Sequence, residues 1–194
     1  MNAFILASQS PRRKTLLEWA EIPFEIIVSE TDESYPSTIS IEKVPIHIAE
    51  QKALAVKHTI QLKFPEHDEK CIIAADTIVV LNDTIIGKPT GIDQAIHTLQ
   101  SLSGKTHKVI TGVVLLHKGQ MHSFSETTIV EFHPLTIEQI EFYVHTYQPF
   151  DKAGAYAIQE WIGVVGIKGI QGDFYNVMGL PVSRLLQKIK QLPI

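Results

Sequence analysis

Short apolar runs alternate along the chain with stretches whose apolar residues recur at helical spacing. Residues 4–7 read as a first strand, and Ser10-Pro11-Arg12-Arg13 then opens a helix with Leu16, Leu17 and Ala20 on one face. Residues 24–28 form a second expected strand, followed by an acidic loop, Glu30-Thr31-Asp32-Glu33. The stripe Ile48, Ala49, Ala53 and Val56 predicts a helix over about residues 44–60, while 63–70 are polar and surface-like. Residues 71–81 are the most strongly apolar run, as expected of a central strand, and Asn82-Asp83 turns it into a returning strand over 84–86. A helix over 93–102 is stopped by Gly104, and two long strands, 108–116 and 121–132, are joined across Lys118-Gly119-Gln120. Thr136 and Gln139 have capping-box spacing and start a helix ending near Thr146. Residues 151–159 show no clear period, 164–170 read as a strand, and Leu180-Pro181 introduces a last helix. Strands with helices between them predict an α/β or α+β domain around a mixed, twisted sheet.

With 194 residues the chain can bury a substantial core, and it suits one large domain, or one domain with two lobes, spanning 1–194. A formal net charge of −4 with interspersed signs argues against gripping duplex nucleic acid, which needs a basic face. It leaves room for a small anionic ligand, because a few local cations suffice for a phosphate chain. The single cysteine, Cys71, allows no intramolecular disulfide and fits a reducing compartment. The first residues lack the basic and long apolar regions of a signal peptide, and no apolar stretch approaches bilayer length. A cytoplasmic protein without membrane contact is the expectation.

Four places could carry chemistry. At Ser8-Gln9-Ser10-Pro11-Arg12-Arg13 a strand ends and a helix begins with proline in its first turn. The unpaired amides there favour an anion, and two guanidinium forks suit phosphoryl oxygens. Ser10 could equally cap the helix. Asp76 lies inside Ile72-Ile73-Ala74-Ala75-Asp76-Thr77-Ile78-Val79-Val80. An ionised carboxylate in such a run costs several kcal/mol unless a metal ion, a lysine or strong donors meet it. Lys52 borders the apolar stripe of its helix, where snorkelling alone would explain it, and Lys88 is held in Gly87-Lys88-Pro89. Asp32 and Glu33 could complete a divalent-metal site with Asp76, or form an exposed acidic turn. The nine histidines read as scattered surface residues without a zinc constellation. No Gly-x-Ser-x-Gly elbow and no P-loop occurs.

Taken together, these stretches resemble the Maf family of nucleotide pyrophosphatases. The likeness rests on Ser8-x-Ser10-Pro11-Arg12-Arg13-x-x-Leu16-Leu17 and on Ala74-Ala75-Asp76-Thr77-Ile78-Val79 followed by Gly87-Lys88-Pro89. It continues through Leu102-Ser103-Gly104-x-x-His107-x-Val109-x-Thr111-Gly112 and Asp151-Lys152-Ala153-Gly154-Ala155-Tyr156-x-Ile158-Gln159. It ends with Gly172-Asp173-Phe174-Tyr175-Asn176-Val177-Met178-Gly179-Leu180-Pro181. The resemblance implies an α/β fold like that of inosine triphosphate pyrophosphatases, with two lobes around a cleft and often a dimer. It implies a nucleoside triphosphate as substrate and a divalent cation, Mg²⁺ or Mn²⁺. It makes Asp76 the general base, and Arg12, Thr77 and Gln159 the mark of the branch acting on dTTP and UTP. Ser8, Ser10, Arg13, Lys52 and Lys88 match substrate-handling positions, and Asp76 with Asp32 and Glu33 the metal-handling ones. Alternatives within the same resemblance are 7-methyl-GTP as substrate, or a nucleotide-binding regulator of cell division without turnover. Ala157 and Glu160 stand where glycines are frequent in the family.

Overall fold

The structure, a computed structural model, describes residues 4–192. In chain order its elements are β1 (Phe4–Leu6), α1 (Pro11–Trp19), β2 (Phe24–Ile26), α2 (Val44–Lys63), β3 (Ile72–Leu81), β4 (Thr84–Ile86) and α3 (Ile92–Leu102). There follow β5 (Thr106–His117), β6 (Gln120–Phe132), α4 (Ile137–Tyr147), α5 (Trp161–Gly166), β7 (Ile167–Gln171), α6 (Phe174–Met178) and α7 (Val182–Gln191). The strands make a seven-stranded sheet ordered β2-β1-β3-β5-β6-β7, with β4 pairing to β3. β1 runs parallel to β2 and β3, while β4 is antiparallel to β3 and β7 to β6. This is the mixed α/β architecture that the alternating pattern predicts.

Contacts divide the chain into two compact units. Among the described residues the first comprises 4–76, 111–126 and 179–192, and the second comprises 77–110 and 127–178. In the first, α2 lays Ala49, Ala53, Val56 and Ile60 over Ile5 and Ala7, Ile72 and Ala74, and Val114 and Leu116. Each strand contributes residues two apart, which share a face of the pleat, and the helix contributes its i, i+4 stripe. Burial of each large aliphatic side chain here contributes about 1.5–3 kcal/mol. Small residues bring helix and sheet close together. At Gly112 a Cβ would stand 2.3 Å from the Ile46 nitrogen and 2.4 Å from the Pro45 carbonyl carbon. The first turn of α2 therefore rests directly on the backbone of β5.

In the second unit α3 packs against α4, burying Leu99, Leu102, Ile140, Tyr143 and Val144. The Thr136–Gln139 capping box forms as its spacing predicts. His107 corrects the reading of the histidines as surface residues. It is buried at the start of β5, edge-on to Phe132 and Tyr156, and its Nε2 lies 2.7 Å from the Tyr156 hydroxyl. Period-two alternation in β5 turns this residue inward, a direction that its polarity alone does not reveal.

Two further segments differ from the pattern-based reading. Residues 164–166 belong to α5 and the strand begins at Ile167. Val164 and Val165 favour a strand by propensity, but a helical turn closes first through the Gly163 amide donating to the Glu160 carbonyl, and Val164 is left 83% exposed. The short helix α6 lies in a stretch where no helical period is legible. Among the described residues no helix is long and apolar enough to cross a membrane.

Candidate active site

At the tip of β1 the chain turns into α1 through Ser8 and Ser10. Ser10 takes the capping role, its hydroxyl accepting from the Arg13 amide at 3.5 Å, with Pro11 in the first helical turn. The Ser8 hydroxyl accepts from the Ser10 amide at 3.2 Å and from the Arg13 guanidinium at 3.1 Å. The Nε of Arg13 donates to the Gly179 carbonyl at 2.8 Å, joining the start of α1 to the loop before α7. Sequence reasoning missed this anchor, because a backbone carbonyl carries no side-chain signature. Arg13 is buried, which lowers the pKa of its guanidinium; Asp76 opposes that shift, Arg12 adds to it and Glu33 opposes it. A guanidinium stays protonated in proteins, so a fixed positive charge stands beside these two carboxylates.

Asp76 sits at the point of β3 where the first unit ends. Its side chain is only 12% exposed, and its Oδ1 accepts from the Lys52 ammonium at 2.8 Å. Of the partners considered for a carboxylate in an apolar strand, the structure supplies the lysine. Lys52 is therefore more than a snorkelling side chain on α2. It also pairs with Glu33, Nζ to Oε1 at 2.7 Å, so one ammonium joins two carboxylates from separate parts of the chain.

The loop bearing Glu33 is held on the same helix. The Ser29 hydroxyl donates to the Ala55 carbonyl and lies 2.6 Å from the Thr59 hydroxyl. Asp32 is bonded within its own loop: its two oxygens accept from the amide and hydroxyl of Ser34 at 3.0 and 2.9 Å. That Asx turn orders the loop while Glu33 reaches Lys52. Among the described residues no group of three or more His, Cys, Asp or Glu side chains converges to hold a metal ion.

Arg12 is half-buried on the first turn of α1. Thr77, Lys88 and Gln159 belong to the second unit. Thr77 follows Asp76 on β3, and Lys88 is exposed in the turn after β4. That turn is fixed by the Gly154 amide donating to the Gly87 carbonyl at 3.2 Å. Gln159 is exposed just before α5, on the segment following the buried Tyr156, Ala157 and Ile158.

Comparison with known proteins sets these residues in a family. Two relatives, both described as dTTP/UTP pyrophosphatase, come from Phocaeicola vulgatus and Bacillus cytotoxicus. The first is 48% identical over 189 residues, covering 97% of this chain and 95% of the relative. The second is 47% identical over 191 residues, covering 98% and 96%. Among solved structures, the Staphylococcus aureus Ham1 protein shares the fold, with a TM-score of 0.50 at 15% identity over 98% of both chains. The family description "Maf-like protein" matches residues 3–192, and the chain belongs to the Maf family.

Proposed function

We propose that this protein hydrolyses dTTP and UTP to the nucleoside monophosphate and pyrophosphate, with residues 1–194 acting as one catalytic domain. The observation that carries this reading is the Asp76–Lys52–Glu33 cluster, with the buried Arg13 charge beside it. Water attacks the α-phosphorus, the bond to the bridging oxygen breaks, and pyrophosphate leaves with the electron pair. Asp76 accepts the proton of the attacking water. Lys52 orients that carboxylate and, with Arg12, Arg13 and Lys88, offsets charge on the phosphoryl oxygens. The Ser8 hydroxyl donates to a phosphate oxygen at the positive end of the α1 dipole. Thr77 and Gln159 read the polar edge of the pyrimidine, Gln159 offering both a donor and an acceptor. Arg12 tunes the same choice.

The donor set fits a divalent cation of the Mg²⁺ or Mn²⁺ kind. Such ions are commonly held by one or two carboxylates, with phosphate and water filling the other positions. Asp76 and Glu33 would hold it, and Asp32 is left to order the loop. When bound, the ion neutralises charge on the phosphate chain.

A substrate panel tests the proposal. Purified protein with dTTP, UTP, the other common nucleotides and 7-methyl-GTP, in Mg²⁺ or Mn²⁺, is assayed for released pyrophosphate. The highest kcat/KM belongs to dTTP and UTP, and Arg12→Ala or Gln159→Ala changes the ranking more than the stability. A maximum at 7-methyl-GTP would overturn the pyrimidine assignment. Binding without turnover across the panel would leave a nucleotide-dependent regulator.

A further inference from the structure

The segment that presents Gln159 is clamped at several points, all within the second unit. The Tyr156 hydroxyl meets His107 at 2.7 Å. The Ala157 amide donates to the Tyr143 hydroxyl at 3.2 Å. The Ile158 carbonyl lies so close over Gly163 that a Cβ there would sit 1.8 Å from its oxygen. Beyond Gln159, the Glu160 carboxylate accepts a hydrogen bond from the same Tyr143 hydroxyl and lies 3.6 Å from the Lys152 ammonium. Lys152 is buried and also donates to Asp151 at 2.8 Å.

One phenol thus grips the chain two residues before Gln159 by its backbone and one residue after it by a carboxylate. Tyr143 can do this because its ring is buried on α4, stacked on Tyr147 with centroids 5.0 Å apart. Its oxygen accepts from Ala157 while its proton goes to Glu160, so both functions of the hydroxyl are used on one short stretch. A glycine at position 160 would remove the second grip.

We propose that Tyr143, Glu160 and Lys152 are positioning residues for substrate choice, which hold residues 156–160 rigid so that Gln159 meets the base in one orientation. This rests on the reading of Gln159 as the base-reading residue. Preorganisation of this kind acts on discrimination, because a loosened side chain satisfies several bases comparably.

The test is a double-mutant cycle on the ratio of kcat/KM for UTP to that for GTP. Gln159→Ala lowers the ratio about tenfold, and Tyr143→Phe, which removes both hydrogen bonds of the phenol, or Glu160→Ala, which removes one, each lowers it by about threefold or more. In the Gln159→Ala background neither substitution changes the ratio further, because the group it positions is gone. A purely structural role would lower kcat for UTP and GTP alike and would leave the ratio unchanged. Ratios moved less than twofold by both variants, or effects that multiply independently with Gln159→Ala, overturn the proposal. If Tyr143→Phe unfolds, Glu160→Ala carries the same test at a side chain that is 23% exposed. A failure of Gln159→Ala by itself to move the ratio removes the base-reading role and this inference with it. That result is visible in the single variant and is therefore distinct from the failure of the network alone.

Discussion

At the scale of single residues, the charge in β3 is the one whose loss separates chemistry from folding. Asp76→Asn preserves volume, and Lys52 keeps Glu33 at 2.7 Å, so no ammonium is stranded. The variant folds with a Tm near the parent's, while kcat falls by at least about a hundredfold, the usual scale for a lost general base. Pyrophosphate release and thermal melting check both halves, and activity within tenfold of the parent would take proton abstraction away from Asp76. Asp76 was legible in the sequence because an acid inside nine otherwise uncharged residues demands a partner. Its partner was not, since a lysine bordering a helical stripe looks the same whether it meets two carboxylates or water. Tyr143 was less legible still: the spacing of Ile140, Tyr143 and Val144 marks a buried face, and nothing in it shows where a hydroxyl points.

At the scale of elements, α2 rests on the backbone of β5 at Gly112 with no side chain between them. Gly112→Ala drives a methyl group to 2.3 Å from the Ile46 nitrogen, so the first turn of α2 must lift. The expected cost is about 1–3 kcal/mol, the range of overpacking, together with a lower kcat because Lys52 rides on that helix. Gly87→Ala, with nothing within 4 Å of the added Cβ, serves as the stability control. Equal denaturant midpoints for the two variants would refute the argument. Strongly periodic elements, such as α2, β3 and the β5–β6 pair, were legible to within a few residues, because one face of each must be apolar. The strand expected over 164–170 begins later because a local hydrogen bond outweighed the propensity of two valines, and propensity is the weaker term.

For the whole molecule, the buried His107 ties stability to pH. Burial pushes its pKa down to about 4 from 6.5. Between those values the unfolded chain binds a proton that the folded one refuses, so stability rises with pH across this window. The contribution is complete above about pH 6.5 and is lost as pH falls towards 4, with a total of about 3 kcal/mol. His107→Gln, which keeps a group able to meet Tyr156, flattens this part of the curve; urea unfolding at pH 4.5 and 7 measures it. An unchanged slope would place the pH dependence elsewhere. The mixed sheet was legible from the alternation of patterns, but the order of strands was not. Pairing between β1 and β3, some 65 residues apart in the chain, depends on what each face buries after collapse and leaves no local trace.

The seating of α2 at Gly112 also bears on how the catalyst ages with heat. A helix resting on bare backbone has no side-chain cushion to deform, so the ammonium it carries cannot drift from the aspartate a little at a time. Warming leaves the reacting pair in register until the first unit gives way as a whole. Loss of turnover then coincides with cooperative unfolding of that unit rather than preceding it.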